Sequence, residues 1–130
     1  MGQIDKRVVW IDDDEISLAL ARRNLEDLQV MEFHLFDNVL EALAYIQNDP
    51  QGVAVVFSDI HMPEMDAIEL IRALSKTGFK QQLVLVSGAN EEMKGIAQST
   101  AQAFGFGPVK MLGKPFQYEQ IGALLAGDSA

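Results

Sequence analysis

Five polar residues stand out because they follow four short apolar runs. Asp12 and Asp13 follow RVVWI, Asp59 follows VAVVFS, Ser87 follows QLVLV, and Lys114 follows VKMLG. Runs this short, rich in β-branched residues, read as strands buried on both faces. In an open α/β sheet, ligand sites form at the carboxyl ends of the strands. Brought together there, Asp12, Asp13 and Asp59 would raise one another's pKa, and a hard divalent cation with oxygen ligands would relieve the conflict. Mg²⁺ suits such a site, because it takes one or two carboxylates and keeps waters and a phosphate oxygen. Ser87 supplies a hydroxyl that can donate to a phosphoryl oxygen, and Lys114 can pair with Asp59 or bind phosphate as a point charge. Each residue also has a plainer role. The run Asp12-Asp13-Asp14-Glu15 suits the start of a helix, whose dipole favours negative charge, and Asp14 reads as its cap. Ser87-Gly88 suits a turn, and a lone lysine is commonly solvated.

The elements that must position these groups alternate along the chain. Strands are predicted at residues 7–11, 30–36, 53–58, 82–86 and 109–112. Helices are predicted from 16 to about 28, at 38–47 behind an Asp37 cap, at 67–76 behind an Asp66 cap, at 91–104 and at 116–126. The expected inward faces are Ile16, Leu18, Leu20, Ala21, Leu25 and Leu28 in the first helix, then Val39, Leu40, Leu43, Ala44 and Ile46 in the second. Ile68, Leu70, Ile71 and Leu74 serve the third, Met93, Ile96, Ala97, Thr100 and Phe104 the fourth, and Ile121, Leu124 and Leu125 the fifth. Strands alternating with helices predict a parallel sheet with helices on both faces. Five strands suit the flavodoxin-like (βα)5 three-layer sandwich, order 2-1-3-4-5.

The chain has 130 residues, of which 48% are hydrophobic, enough for one domain with a real core about residues 7–126. Residues 1–6 and 127–130 read as loose tails. A net charge of −9 argues against direct nucleic-acid binding by this domain. Without cysteine there is neither a disulfide framework nor a thiolate metal site. No apolar run is long enough to span a bilayer, and the N-terminus lacks a signal-peptide pattern, so a cytoplasmic location is expected.

Together, DDD after the first strand, SDIHMPEMDAIEL around the third, LVSGA at the fourth and LGKPF at the fifth resemble the receiver domain of two-component response regulators. The resemblance runs from about Arg7 to Ala126. It implies a signalling domain, not an enzyme acting on other substrates, that takes a phosphoryl group onto Asp59 from a histidine kinase or phosphotransfer protein. It implies that Asp12 and Asp13 hold Mg²⁺, with Asp13 the more direct ligand and the backbone carbonyl of His61 a further one. Ser87 and Lys114 would contact the phosphoryl oxygens, and the Lys114-Pro115 bond would be cis, as X-Pro bonds can be. The partners implied are that phosphodonor, a downstream output domain or protein, and a homodimer formed on phosphorylation.

The sequence departs from the family in two places. Met111 stands where an aromatic residue commonly follows the hydroxyl residue inward as a switch; methionine is flexible and apolar and can fill that space without a ring or hydroxyl. Ala67 replaces a glycine after Asp66, a mild change in a helix. His61 beside the acceptor suits either control of the hydrolytic water or a solvent-facing turn. Two other functions compete. One is a haloacid-dehalogenase-like phosphatase built on Asp12-x-Asp14, which does not account for MPEMD or the distance to Lys114. The other is a degenerate receiver serving only as a docking module, which the presence of all five site residues opposes.

Overall fold

The computed structural model describes residues 3–88, 91–107 and 109–126, without the side chains of 91 and 92. Five parallel strands, β1 (Ile4–Ile11), β2 (Val30–Phe36), β3 (Val55–Asp59), β4 (Gln82–Ser87) and β5 (Lys110–Gly113), alternate with five helices. The helices are α1 (Glu15–Asp27), α2 (Val39–Asn48), α3 (Ala67–Lys76), α4 (Glu91–Ala103) and α5 (Tyr118–Leu125). The strand order is β2-β1-β3-β4-β5, the flavodoxin-like order expected.

The sheet divides two apolar cores. Val9, Ile11, Val56, Leu83 and Leu85 pack with buried residues of α2, α3 and α4 on one face. Trp10, Phe57, Val84, Val86 and Leu112 pack with Ala21 and Leu25 of α1 and Ile121 of α5 on the other. Adjacent strand residues point to opposite faces, so a strand covered on both sides is apolar throughout. That is why β3 and β4 were legible as uninterrupted apolar runs.

Several element boundaries and helix faces differ from those the sequence predicts. β1 starts at Ile4, inside the stretch expected to be a loose tail, and Ile4 pairs with Val30 across an irregularity before Arg7. Its charged residues hid it. Arg7 reaches Glu32 at 3.0 Å and Asp49 at 3.1 Å, while Lys6 donates to the Leu125 carbonyl at the end of α5. The remaining tail residues, 1, 2 and 127–130, lie outside the described residues. Asn38, not Asp37, caps α2, accepting from the Glu41 amide at 3.0 Å. α5 begins at Tyr118, two residues later than expected, because Phe116 is drawn into the core beside Trp10.

In α1, Ser17, Ala21 and Leu25 face inward, whereas Ile16 is 72% and Leu20 48% exposed. Position 17 is polar, which disguised the true stripe. Leu40 of α2, Ile68 of α3 and Ile96 of α4 also turn outward, while the small residues Ala42, Ala67, Ala97 and Ala101 are among those buried. α4 ends in a left-handed glycine: Gly105 has φ +93°, and the Phe106 amide reaches back to the Ala101 carbonyl at 3.1 Å.

The α3 cap is reciprocal. The Glu69 amide donates to Asp66 Oδ1 at 2.8 Å, and the Asp66 amide donates to Glu69 Oε1 at 3.2 Å. Asp66→Ala removes the first bond and is expected to lower unfolding free energy by about 1 kcal/mol in urea titrations. An unchanged midpoint would mean the cap contributes nothing.

Candidate functional site

Asp59 is the last residue of β3, and its neighbour in β4 is Val86. The Ile60 amide continues that ladder to the Val86 carbonyl at 3.1 Å. The chain then turns, and the His61 amide donates to Asp59 Oδ1 at 2.9 Å, fixing the carboxylate's orientation. Asp12 directly follows β1. Its amide donates to the Phe36 carbonyl at 3.0 Å, and its Oδ1 accepts from the Asp14 amide at 2.9 Å. Both carboxylates are buried, Asp12 completely, whereas Asp13 is exposed.

Lys114 enters from the loop after β5, held by its amide's bond to the Ser87 carbonyl at 2.9 Å. The Lys114-Pro115 bond is cis. The lysine was expected to reach Asp59; it reaches two carboxylates, with Nζ 2.9 Å from Asp12 Oδ2 and 3.1 Å from Asp59 Oδ2. Ser87 Oγ is fully buried beside these strand ends and has no hydrogen-bond partner among the described residues. An unpaired buried hydroxyl costs free energy, so its position suits a group that accepts from it. Ala89 of the LVSGA segment and Asn90 after it lie outside the described residues.

Carboxylate oxygens of Asp12, Asp13 and Asp59 lie within 4.8 Å of one another. Burial pushes the Asp12 carboxyl above the ordinary carboxylate range, and the Asp14 amide and Lys114 do not cancel that push. Desolvation alone would lower the Lys114 ammonium, but its bonds to Asp12 and Asp59 hold it above the usual lysine value. Both shifts retain protons, as expected where three carboxylates face one ammonium. Three hard oxygen donors short of positive charge fit a small divalent cation.

The other sequence candidates separate cleanly. His61 contributes its amide to Asp59, while its side chain is exposed. Met111 lies opposite Leu85 in β4 and is half-buried against the α2–α4 core, beside the region that Met93 and Phe104 also cover. Asp14 caps α1, accepting from the Ser17 amide at 3.3 Å and the Ser17 hydroxyl at 2.9 Å. Its oxygens are turned to the helix, so the Asp12-x-Asp14 pair of a dehalogenase-like phosphatase does not form a two-carboxylate centre.

A family model described as the response regulator receiver domain matches residues 8–126. The histidine kinase CKI1 of Arabidopsis thaliana is 32% identical over 117 residues, covering 76% of this chain and 10% of the kinase. The chain spans between 10% and 23% of the length of three such relatives. The crystal structure of the CKI1 receiver domain, complexed with Mg²⁺, is similar with a TM-score of 0.73 and 25% identity, covering 94% of this chain and 90% of that one. A chain of the co-crystal structure of the Saccharomyces cerevisiae histidine phosphotransfer protein Ypd1 and the Ssk1 receiver domain is similar in fold. Its TM-score is 0.72 at 18% identity, over 97% of this chain and 90% of that one. No helix among the described residues is long and apolar enough to cross a membrane. With nearly its whole length matched, and with acidic, hydroxyl and lysine groups at the strand ends where the motifs placed them, the chain belongs to the response regulator receiver domain family.

Proposed function

We propose that Asp59 is the phosphoacceptor of this receiver domain and takes its phosphoryl group from a phosphohistidine of a kinase or phosphotransfer protein. One observation carries this: a buried carboxylate at a strand end lies 3.1 Å from Lys114 Nζ and within 4.8 Å of two further carboxylates. An Asp59 oxygen attacks phosphorus in line, the bond from phosphorus to the donor imidazole breaks, and its electron pair returns to the ring nitrogen. Lys114 faces the charge on the equatorial oxygens, and Ser87 Oγ donates to one of them. Asp12 and Asp13, with the His61 carbonyl, would hold Mg²⁺, which supplies further charge neutralisation at those oxygens. Water later cleaves the acyl phosphate and restores the Asp59 carboxylate. The domain's role is relay: Ser87 drawn toward the phosphoryl group biases how α4, β5 and α5 pack, with Met111 filling the space beside them, and a downstream partner reads the difference. The partner class is supported by the CKI1 and Ssk1–Ypd1 relationships.

Incubation with acetyl phosphate and Mg²⁺, followed by intact-mass measurement, tests the proposal. One phosphoryl increment is expected, and none with a chelator present. Protein that gains no phosphoryl group would be a docking module instead.

Asp13→Asn separates metal binding from folding. Asp13 is exposed and crowded by two carboxylates, so its neutralisation is expected to leave the melting temperature of metal-free protein at or slightly above that of wild type. Removing its charge from the cation site is expected to weaken Mg²⁺ about tenfold or more by isothermal titration. Wild-type affinity in the variant would remove Asp13 from the ligand set.

A further inference from the structure

Below the charged groups lies a row of aromatic rings. Trp10 pairs with Phe57 across β1 and β3, and the next pair in that register is Ile11 with Ser58. One step further along the same register come Asp12 and Asp59. Side chains two apart on a strand share a face, so Phe57 and Asp59 share theirs, and Asp12 follows β1 as the second residue after Trp10. The Trp10 and Phe57 rings stack at 4.3 Å with their planes 8° apart. Phe116, two residues after Lys114, sets its ring 5.1 Å from Trp10 at a 53° tilt. Each ring is thus two residues from one of the three groups that converge at the site.

We propose that the Trp10–Phe57–Phe116 cluster is a positioning element of the phosphoryl-accepting site, setting how far apart Asp12, Asp59 and Lys114 stand; this rests on Asp59 being the acceptor. Stacked rings fix an inter-strand contact more stiffly than aliphatic chains do, because offset aromatic pairs prefer particular distances and angles. Trp10 is fully buried and its indole N–H has no partner among the described residues. A buried, unpaired N–H costs free energy that an aliphatic residue would avoid. The indole's value at this position therefore lies in its ring face. Phe116 does the same for the lysine, tying the loop after the cis bond to the strands that carry the acids. A misplacement of about 1 Å among such groups can cost two orders of magnitude in rate.

Three variants of the full chain test this. Trp10→Leu and Phe116→Leu keep apolar bulk and lose a ring, while Trp10→Phe keeps one. Each is measured for Mg²⁺ affinity by isothermal titration and for the rate of phosphoryl gain from acetyl phosphate by intact mass, at a temperature where circular dichroism shows it folded. The leucine variants are expected to lose about tenfold in both quantities, and Trp10→Phe to recover most of the loss. A cluster that only fills the core would lower melting temperatures and leave both quantities at wild-type values per folded molecule, which would overturn the positioning role. Should Trp10→Leu not fold, Phe116→Leu decides by the same criterion, since Phe116 lies at the rim of the core and is 8% exposed. Wild-type protein that neither binds Mg²⁺ nor gains a phosphoryl group would overturn the acceptor function itself, and the positioning role with it.

Discussion

Asp59→Asn, incubated with acetyl phosphate and Mg²⁺, is expected to show no phosphoryl increment in its intact mass under conditions where wild-type protein is converted. The carboxamide keeps the shape of the carboxylate but offers no anionic oxygen to attack phosphorus. The fold has little to lose. The Asn oxygen can still accept from the His61 amide, which lies 2.9 Å from Asp59 Oδ1. Lys114 keeps its 2.9 Å contact with Asp12, so neither partner of that pair is left buried alone. Replacing one of three crowded carboxylates also removes like-charge repulsion. The variant is therefore expected to melt at or above the wild-type temperature without Mg²⁺, while binding Mg²⁺ more weakly. A phosphoryl adduct retained by Asp59→Asn would place the acceptor elsewhere, with Asp12 and Asp13 the nearest candidates.

β1, β3 and β4 were legible because their site-bearing ends are buried on both faces, and the runs of all four site strands stop at a charged or hydroxyl residue. That pattern located Asp12, Asp59, Ser87 and Lys114 without any contact being known. β1 before Arg7 was not legible, since Asp5 and Lys6 read as a solvated tail until Lys6 is seen to reach the end of α5. Helix faces were misjudged where size was taken for burial. Ile16, Leu20 and Leu40 are large and outward, while Ser17, Ala42 and Ala101 are small and inward, where a helix packs closely on the sheet. The second partner of Lys114 was invisible for another reason. Whether a lysine after β5 reaches β3 alone or β1 as well depends on the loop's path through Pro115 and Phe116, and Phe116 was assigned to a helix that it does not join. The aromatic row under the site escaped notice because register between strands far apart in sequence is set by tertiary pairing.

Lys114→Ala is expected to fail in two separable ways. In metal-free protein it leaves Asp12 and Asp59 facing each other with no cation, and both are buried. Removing one partner of a fully buried pair costs about 3–5 kcal/mol. Here the lysine is partly exposed, and water can reach the vacated space, so about 2 kcal/mol is the expected loss of unfolding free energy at neutral pH. Saturating Mg²⁺ is expected to restore much of it, since a divalent ion among Asp12, Asp13 and Asp59 offsets the charge of both buried carboxylates and binds only the folded state. The rate of phosphoryl gain, measured with Mg²⁺ saturating, is expected to fall about 10²-fold or more and not to recover, because the charge facing the transferring oxygens is missing. Lys110→Ala removes an equal charge from the start of β5 and is expected to leave that rate unchanged. A Lys114→Ala protein that regains stability with Mg²⁺ yet phosphorylates at the wild-type rate would show that the lysine is a counter-ion of the empty site and nothing more. A loss of rate that persists after stability returns would assign it to the transfer itself, because Mg²⁺ can replace the lysine's charge beside Asp12 but not its ammonium at 3.1 Å from the attacking carboxylate.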